Sequence, residues 1–205
     1  MHISHALTRS SVARTLALFA VVALATSGCT ADYATQNNSS LHMEVAGIAP
    51  LGGEIGGQLQ SDVASDTGTA FNDDVAVTVT IYRKNPGVTS TSPLEHVFLD
   101  RYEVRFFRSD GHNAVGIDVP HSISGPLGNA RLHTPTGTGE IDLTVPLTLV
   151  RQAAKLEPPL RNLRGGGGLT ILTCFAEITV YARQLDGGTL RAQGTIQVTF
   201  ADFPG

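Results

Sequence analysis

The chain has no tryptophan, two cysteines, two methionines and only 6% aromatic residues. Each scarcity excludes something. An antibody-type domain packs a buried tryptophan on an intersheet disulfide. Here there is no tryptophan and no cysteine pair within the strand region, so that class is excluded. No apolar run reaches the ~20 residues that a membrane-spanning helix needs. Helical patterning is scarce as well. The one candidate is VRQAAKLE at 150 to 157, stopped by Pro158-Pro159, because proline in a helix interior removes a donor and clashes with the preceding turn.

What is present is a period of two. DDVAVTVTIYRK (73 to 84) sets Val75, Val77, Val79 and Ile81 on one face with Thr78 and Thr80 opposite. GEIDLTVPLTLV (139 to 150), LTILTCFAEITVYAR (169 to 183) and TLRAQGTIQVTFADF (189 to 203) alternate in the same way. In HVFLDRYEVRFFR (96 to 108) the alternation predicts Phe98, Tyr102, Val104 and Phe106 inward, with Arg101, Glu103 and Arg105 outward. Strands with one apolar and one wet face belong to antiparallel sheets. The expected fold is all-β: an antiparallel immunoglobulin-like β-sandwich with one short helical segment, a closed β-barrel being the alternative.

Several connections follow from the same reading. Leu185-Asp186-Gly187-Gly188 predicts a hairpin between the last two strands, since glycine supplies the positive φ such turns require. Pro146 marks its strand as an edge or a bulge. LHMEVAGIA (41 to 49) is a candidate first strand, and 51 to 73 reads as a long loop. The connection from 109 to 138 is too long to be structureless, and short strands are expected near 115 to 119 and 130 to 133.

The N-terminus has a different character. Arg9 and Arg14 precede the apolar run Leu16 to Ala25, and small residues follow. This is the plan of a secretory leader, with the remainder exported. Ala23-Leu24-Ala25 offers an ordinary cleavage site, but Ala25-Thr26-Ser27-Gly28-Cys29 resembles the lipobox of bacterial lipoproteins. The resemblance covers only the leader, and Thr26 stands where leucine is commonest. It implies a signal peptide over 1–28, diacylglycerol on the Cys29 thiol and an acyl chain such as palmitate on its amine. Several chains on one residue anchor durably, at about 0.8 kcal/mol per buried CH₂. Residues 29–40 then form the lipidated cysteine and a polar tether, and 41–205 a single domain. Thr30 follows the cysteine where an aspartate would favour inner-membrane retention, so the outer membrane of a cell envelope is expected.

Charge narrows the partners. The leader takes two of the 14 basic residues and none of the 18 acidic ones, leaving 12 against 18 in the mature chain. Nucleic acid wants a basic face, so it is not an expected partner. The membrane is expected as a partner through the lipid anchor, with an envelope protein or polysaccharide as a further partner. No cofactor beyond the covalent lipid is expected.

Candidate chemistry is sparse. Cys174 alternates with Leu172, Ala176 and Ile178, so it is expected in the core rather than as a nucleophile. His112, His121 and His133 lie nine and twelve residues apart, without the close recurring spacing of metal ligands. Asp62, Asp66, Asp73 and Asp74 are weak candidates for calcium, lacking the regular pattern of a helix–loop–helix site. Gly165 to Gly168 precedes Leu169-Thr170, so it is a connector and not a phosphate loop. On the wet sides of the strands, Tyr82, Phe107, Phe175 and Tyr181 form a candidate surface aromatic patch. The expected function is a non-catalytic binding or structural module of the envelope. Its rivals are a hydrolase built from the 109–138 connection and a calcium-stabilised adhesion module.

Overall fold

A computed structural model describes residues 39–65, 68–88, 92–128, 131–132 and 139–203. Residues 1–38, and with them Cys29, the expected leader and most of the expected tether, lie outside them, as do Asp66 and His133.

Alternation builds the first sheet. In β3 (Asp73–Arg83), Val75, Val77, Val79 and Ile81 are fully buried. Thr78 and Thr80 point the other way and bond to Thr144 and Asp142 of β7 (Glu140–Val150). β1 (Leu41–Pro50) pairs along the other side of β3, giving the order β1-β3-β7. Pro146 thus lies on an edge strand, as its missing N–H requires.

The second sheet runs β2-β9-β8-β4-β5 and is curled into a half-barrel. Its strands are β2 (Leu59–Asp62), β4 (Val97–Phe107), β5 (Ile123–Pro126), β8 (Leu172–Gln184) and β9 (Thr189–Ala201), with the two-residue β6 (Arg131–Leu132) against the start of β4. β8 and β9 form the expected hairpin, with Gly187 at φ +92°. The inward faces of both sheets share one hydrophobic core. Cys174 is fully buried there, and burial pushes its thiol up to about 11. Among the described residues no helix of seven or more residues occurs, and the protein is mostly β with two sheets.

Four details correct the sequence reading. Leu99 pairs with Ala182 and Arg101 with Tyr181, so Asp100 has no partner across the ladder. Its carbonyl accepts instead from the Leu127 N–H at 2.9 Å. One extra residue exchanges the faces of everything before it. Val97 and Leu99 therefore enter the core, and Phe98 does not. Second, the stretch taken as a loop from 51 to 73 contains β2, which runs parallel to β9. Third, 115 to 119 is only an isolated bridge between Val115 and Val119, whereas the strand expected at 130 to 133 is β6 and a further one, β5, was not foreseen. Fourth, the helical segment is 3₁₀, over Gln152–Leu156 and again over Leu160–Leu163 beyond a cis Pro158–Pro159 bond.

The chain enters at the end of the sheets where β3 stops and β4 starts. Ser40 Oγ donates to Glu95, and the Lys84 N–H donates to the Ser40 carbonyl. Glu95 also holds the buried Arg83 guanidinium at 2.7 Å.

Candidate binding face

The outer face of the six-stranded sheet gathers side chains by register. Across β4, β8 and β9, Arg101 stands beside Tyr181, and Tyr181 beside Arg191. The row on one side sets Phe98 beside Arg183. On the other side come Glu103 beside Thr179, Arg105 beside Glu177 and, at the far end, Phe107 beside Phe175. Apart from the buried Ala201 at the end of β9, none of the outward positions on these three strands holds an aliphatic residue.

Several of these groups fix one another. The Arg101 guanidinium lies over the Tyr181 ring, 3.8 Å from its centroid, an arrangement that attracts a cation to the ring's negative face. Glu103 accepts from the Tyr181 hydroxyl at 3.0 Å and from Arg101. The Tyr181 hydroxyl and then the Arg101 guanidinium hold its carboxyl below the ordinary range, because bonds to the charged form favour it. Phe107 and Phe175 stack at 5.5 Å with 26° between their planes. Gln193 donates to Thr179 at 3.2 Å.

Of the four predicted aromatics, three are on this face. Phe107 and Phe175 touch, Tyr181 lies three rows away, and Tyr82 belongs to the other sheet. There Tyr82 packs on His42 at 4.9 Å and donates to Glu44. Arg183 and Arg191 complete the face and were not singled out from sequence. Their signal was the same wet-side parity that found Tyr181.

Asp62, Asp73 and Asp74 do not converge. Asp73 takes the Lys155 ammonium at 2.9 Å and the Ser61 hydroxyl at 2.5 Å. Lys155 is buried and also donates to the Asp62 carbonyl at 2.7 Å. Burial raises the Asp73 carboxyl above its ordinary range, with Ser61 and Lys155 pulling it back. Asp62 accepts the N–H groups of Ala64 and Phe203, and Asp74 accepts from Thr148. A lysine ammonium thus occupies the place beside Asp73 that a cation would need. Among the described residues no group of three or more His, Cys, Asp and Glu is placed to hold a metal ion.

In the long connection, His112 Nδ1 is 3.5 Å from Asp110 on an exposed turn. Asp110 is already gripped by Arg108, which brings its carboxyl down to about 2. The glycine run is not merely a connector: the N–H groups of Gly165 and Gly167 both point at the Asp202 carboxylate, Gly165 at 2.6 Å. A cleft of about 360 Å³ lies where β1 crosses β9, lined by Val45, Gly47, Ile55, Gly194 and Gln197, and no charged side chain enters it.

The fold and this face define an all-β protein of two sheets with an open, polar and aromatic outer surface. No family model matches the chain, and no curated protein does. Among solved structures it is similar to the Northeast Structural Genomics Consortium target SoR45, at 11% identity and a TM-score of 0.29, over 78% of this chain and 86% of that one. A Bordetella pertussis protein provisionally called ApaA gives 9% identity and a TM-score of 0.28, over 80% of this chain and 94% of that one.

Proposed function

We propose that the protein is an envelope lipoprotein, anchored through acylated Cys29, whose two-sheet domain is a non-catalytic binding module. The observation that supports binding is the outer face of β4, β8 and β9. Its groups are held by the sheet and by one another, as Arg101, Tyr181 and Glu103 are, and they lie in the open, where an extended partner has access. We also propose an immunoglobulin-like arrangement for the sandwich, supported by the antiparallel strands β4, β8 and β9 packing across one core from β1-β3-β7.

Two measurements test this. The intact mass of the N-terminal peptide should start at Cys29 and carry acyl mass, and Cys29→Ala should move the protein to the soluble fraction. A peptide starting at Thr26 without lipid would remove the anchor. The Cys29→Ala chain should then co-sediment with washed envelope fragments, and its failure to do so would remove the binding reading.

A further inference from the structure

We infer that the cleft between the loop after β2, the second 3₁₀ turn and the chain beyond β9 binds a free α-amino acid with an apolar side chain. Arg161 takes its carboxylate and Asp202 its ammonium group. None of the lining residues belongs to the outer face of β4, β8 and β9, so the site stands independently of that face.

The cleft is built from three remote segments that tie one another in place. Its volume is about 640 Å³, within the ~300–1,000 Å³ of small-molecule sites. The Asp62 carboxylate accepts the N–H groups of both Ala64 and Phe203 at 3.2 Å, which joins the loop after β2 to the chain beyond β9. The Arg164 guanidinium donates to the Gly68 carbonyl at 2.6 Å and so ties in the third segment. Phe203 is half-buried and, with Ala64, gives the cleft its apolar surface.

The charges come next. Among the described residues the charged side chains lining the cleft are Arg161, Arg164 and Asp202, Asp66 lying outside those residues. Three residues complete a 3₁₀ turn, so Arg161 and Arg164 leave the same side of Leu160–Leu163. Arg161 is exposed, and among the described residues its guanidinium has no hydrogen-bond or ion-pair partner. Glu157 meets this residue through the backbone alone, its carbonyl accepting the Arg161 N–H at 2.9 Å. The Asp202 carboxylate is held by one oxygen. Gly165 and Gly167, at φ +77° and +53°, aim their N–H groups at Oδ2 from 2.6 and 3.5 Å, the kind of backbone turn that cradles an anion. Oδ1 has no partner among the described residues and stays open to a donor.

Both signs of charge thus line one cleft beside an aromatic ring. A bare anion would meet the Asp202 carboxylate, and a bare cation the two guanidiniums. An α-amino acid answers both. Its carboxylate matches a guanidinium fork, its ammonium donates to Oδ1, and its side chain packs on Phe203.

The test is calorimetric titration of the mature Cys29→Ala chain with L-phenylalanine, phenylpropionate and phenethylamine. Phenylalanine should saturate one site per chain at about millimolar concentration or below. Phenylpropionate lacks the ammonium and phenethylamine the carboxylate, so each should bind roughly tenfold more weakly, the worth of one charge-assisted hydrogen bond. Arg161→Gln should weaken phenylalanine and phenylpropionate by a similar factor and leave phenethylamine unchanged. Asp202→Asn keeps an acceptor oxygen for Gly165; it should weaken phenylalanine and spare phenylpropionate, with an unchanged melting temperature. Glu140→Gln, on the other sheet, should change nothing. Failure of phenylalanine to saturate, equal binding of phenylpropionate, or indifference to Arg161→Gln would each overturn the inference. Should Asp202→Asn lose its fold, the comparison of phenylalanine with phenylpropionate on the parent chain still decides the role of the ammonium group.

Discussion

Lys155 holds a 3₁₀ turn against the end of both sheets, by way of the Asp62 carbonyl on β2 and the Asp73 carboxylate on β3. Breaking a buried ion pair by removing one partner typically costs 3–5 kcal/mol, whereas replacing both is far milder. Lys155→Met should therefore lower the urea midpoint by an amount equivalent to about 3 kcal/mol. Lys155→Met with Asp73→Asn should recover a large part of it. Acid changes the comparison. The Asp73 carboxyl titrates above its ordinary range because it is buried, so in acid the native protein already carries it protonated. Relative to the unfolded chain the fold favours the protonated form, so the cost of Asp73→Asn alone should grow as pH falls from 7 through the ordinary carboxyl range. A cost that shrinks in acid would contradict that arrangement. Asp110 titrates in the opposite sense. Its folded value near 2, set chiefly by Arg108, lies below the ordinary 3.8, so its contribution is present at neutral pH and is lost as pH falls through 2. Cys174 supplies a third check on burial. With its thiol near 11 and no exposure, it should resist a thiol reagent at pH 8 and react fully once urea unfolds the chain.

At the scale of elements, two positions in the sheets carry unusual demands. Gly194 on β9 lies under β1, and a Cβ there would stand 2.7 Å from Val45 and 2.9 Å from Ile48. Gly194→Ala should cost about 1–3 kcal/mol through overpacking, read as a lower urea midpoint with an unchanged slope. The bulge at Asp100 is the second. Deleting Asp100 would turn either Val97 and Leu99 or Tyr102 and Val104 away from the core, because a slip of one residue flips every side chain beyond it. That deletion should abolish the cooperative transition, while Asp100→Ala should change stability by under about 0.5 kcal/mol. The same bulge marks the limit of what sequence makes legible. Strands β3, β7, β8 and β9 were legible because their alternation runs unbroken through their apolar faces. β4 was not, because a bulge leaves each half alternating correctly while exchanging the faces between them. β2 has only four residues, too few to show a period, and its partner β9 is remote in the chain. On the candidate face, Phe107, Phe175 and Tyr181 could be read from parity. Their grouping with Arg183 and Arg191 depends on cross-strand register, which no local pattern encodes.

Folding sorts a mixed set of charges into two faces of opposite sign, and this has a consequence for the whole molecule that does not depend on any ligand. A protein with a sequence pI near 5.9 should pass through a cation exchanger at pH 7 if its charges were spread evenly. The outward positions of β4, β8 and β9 hold four arginines against Asp100, Glu103 and Glu177, and those of β1, β3 and β7 hold four carboxylates with no lysine or arginine. A surface patch responds to the local field rather than to net charge, within a screening length of about 10 Å at 0.1 M salt. The folded chain should therefore be retained on both cation and anion exchangers near pH 7 at low salt, and leave the cation exchanger at modest salt. Arg183→Gln with Arg191→Gln should abolish retention on the cation exchanger alone, and Glu140→Gln with Asp142→Asn should weaken retention on the anion exchanger alone. In concentrated urea the register is lost, and with it the cation-exchange retention should disappear while the anion-exchange retention persists. If the unfolded chain kept both, the charge pattern would belong to the sequence and not to the pairing of β4, β8 and β9.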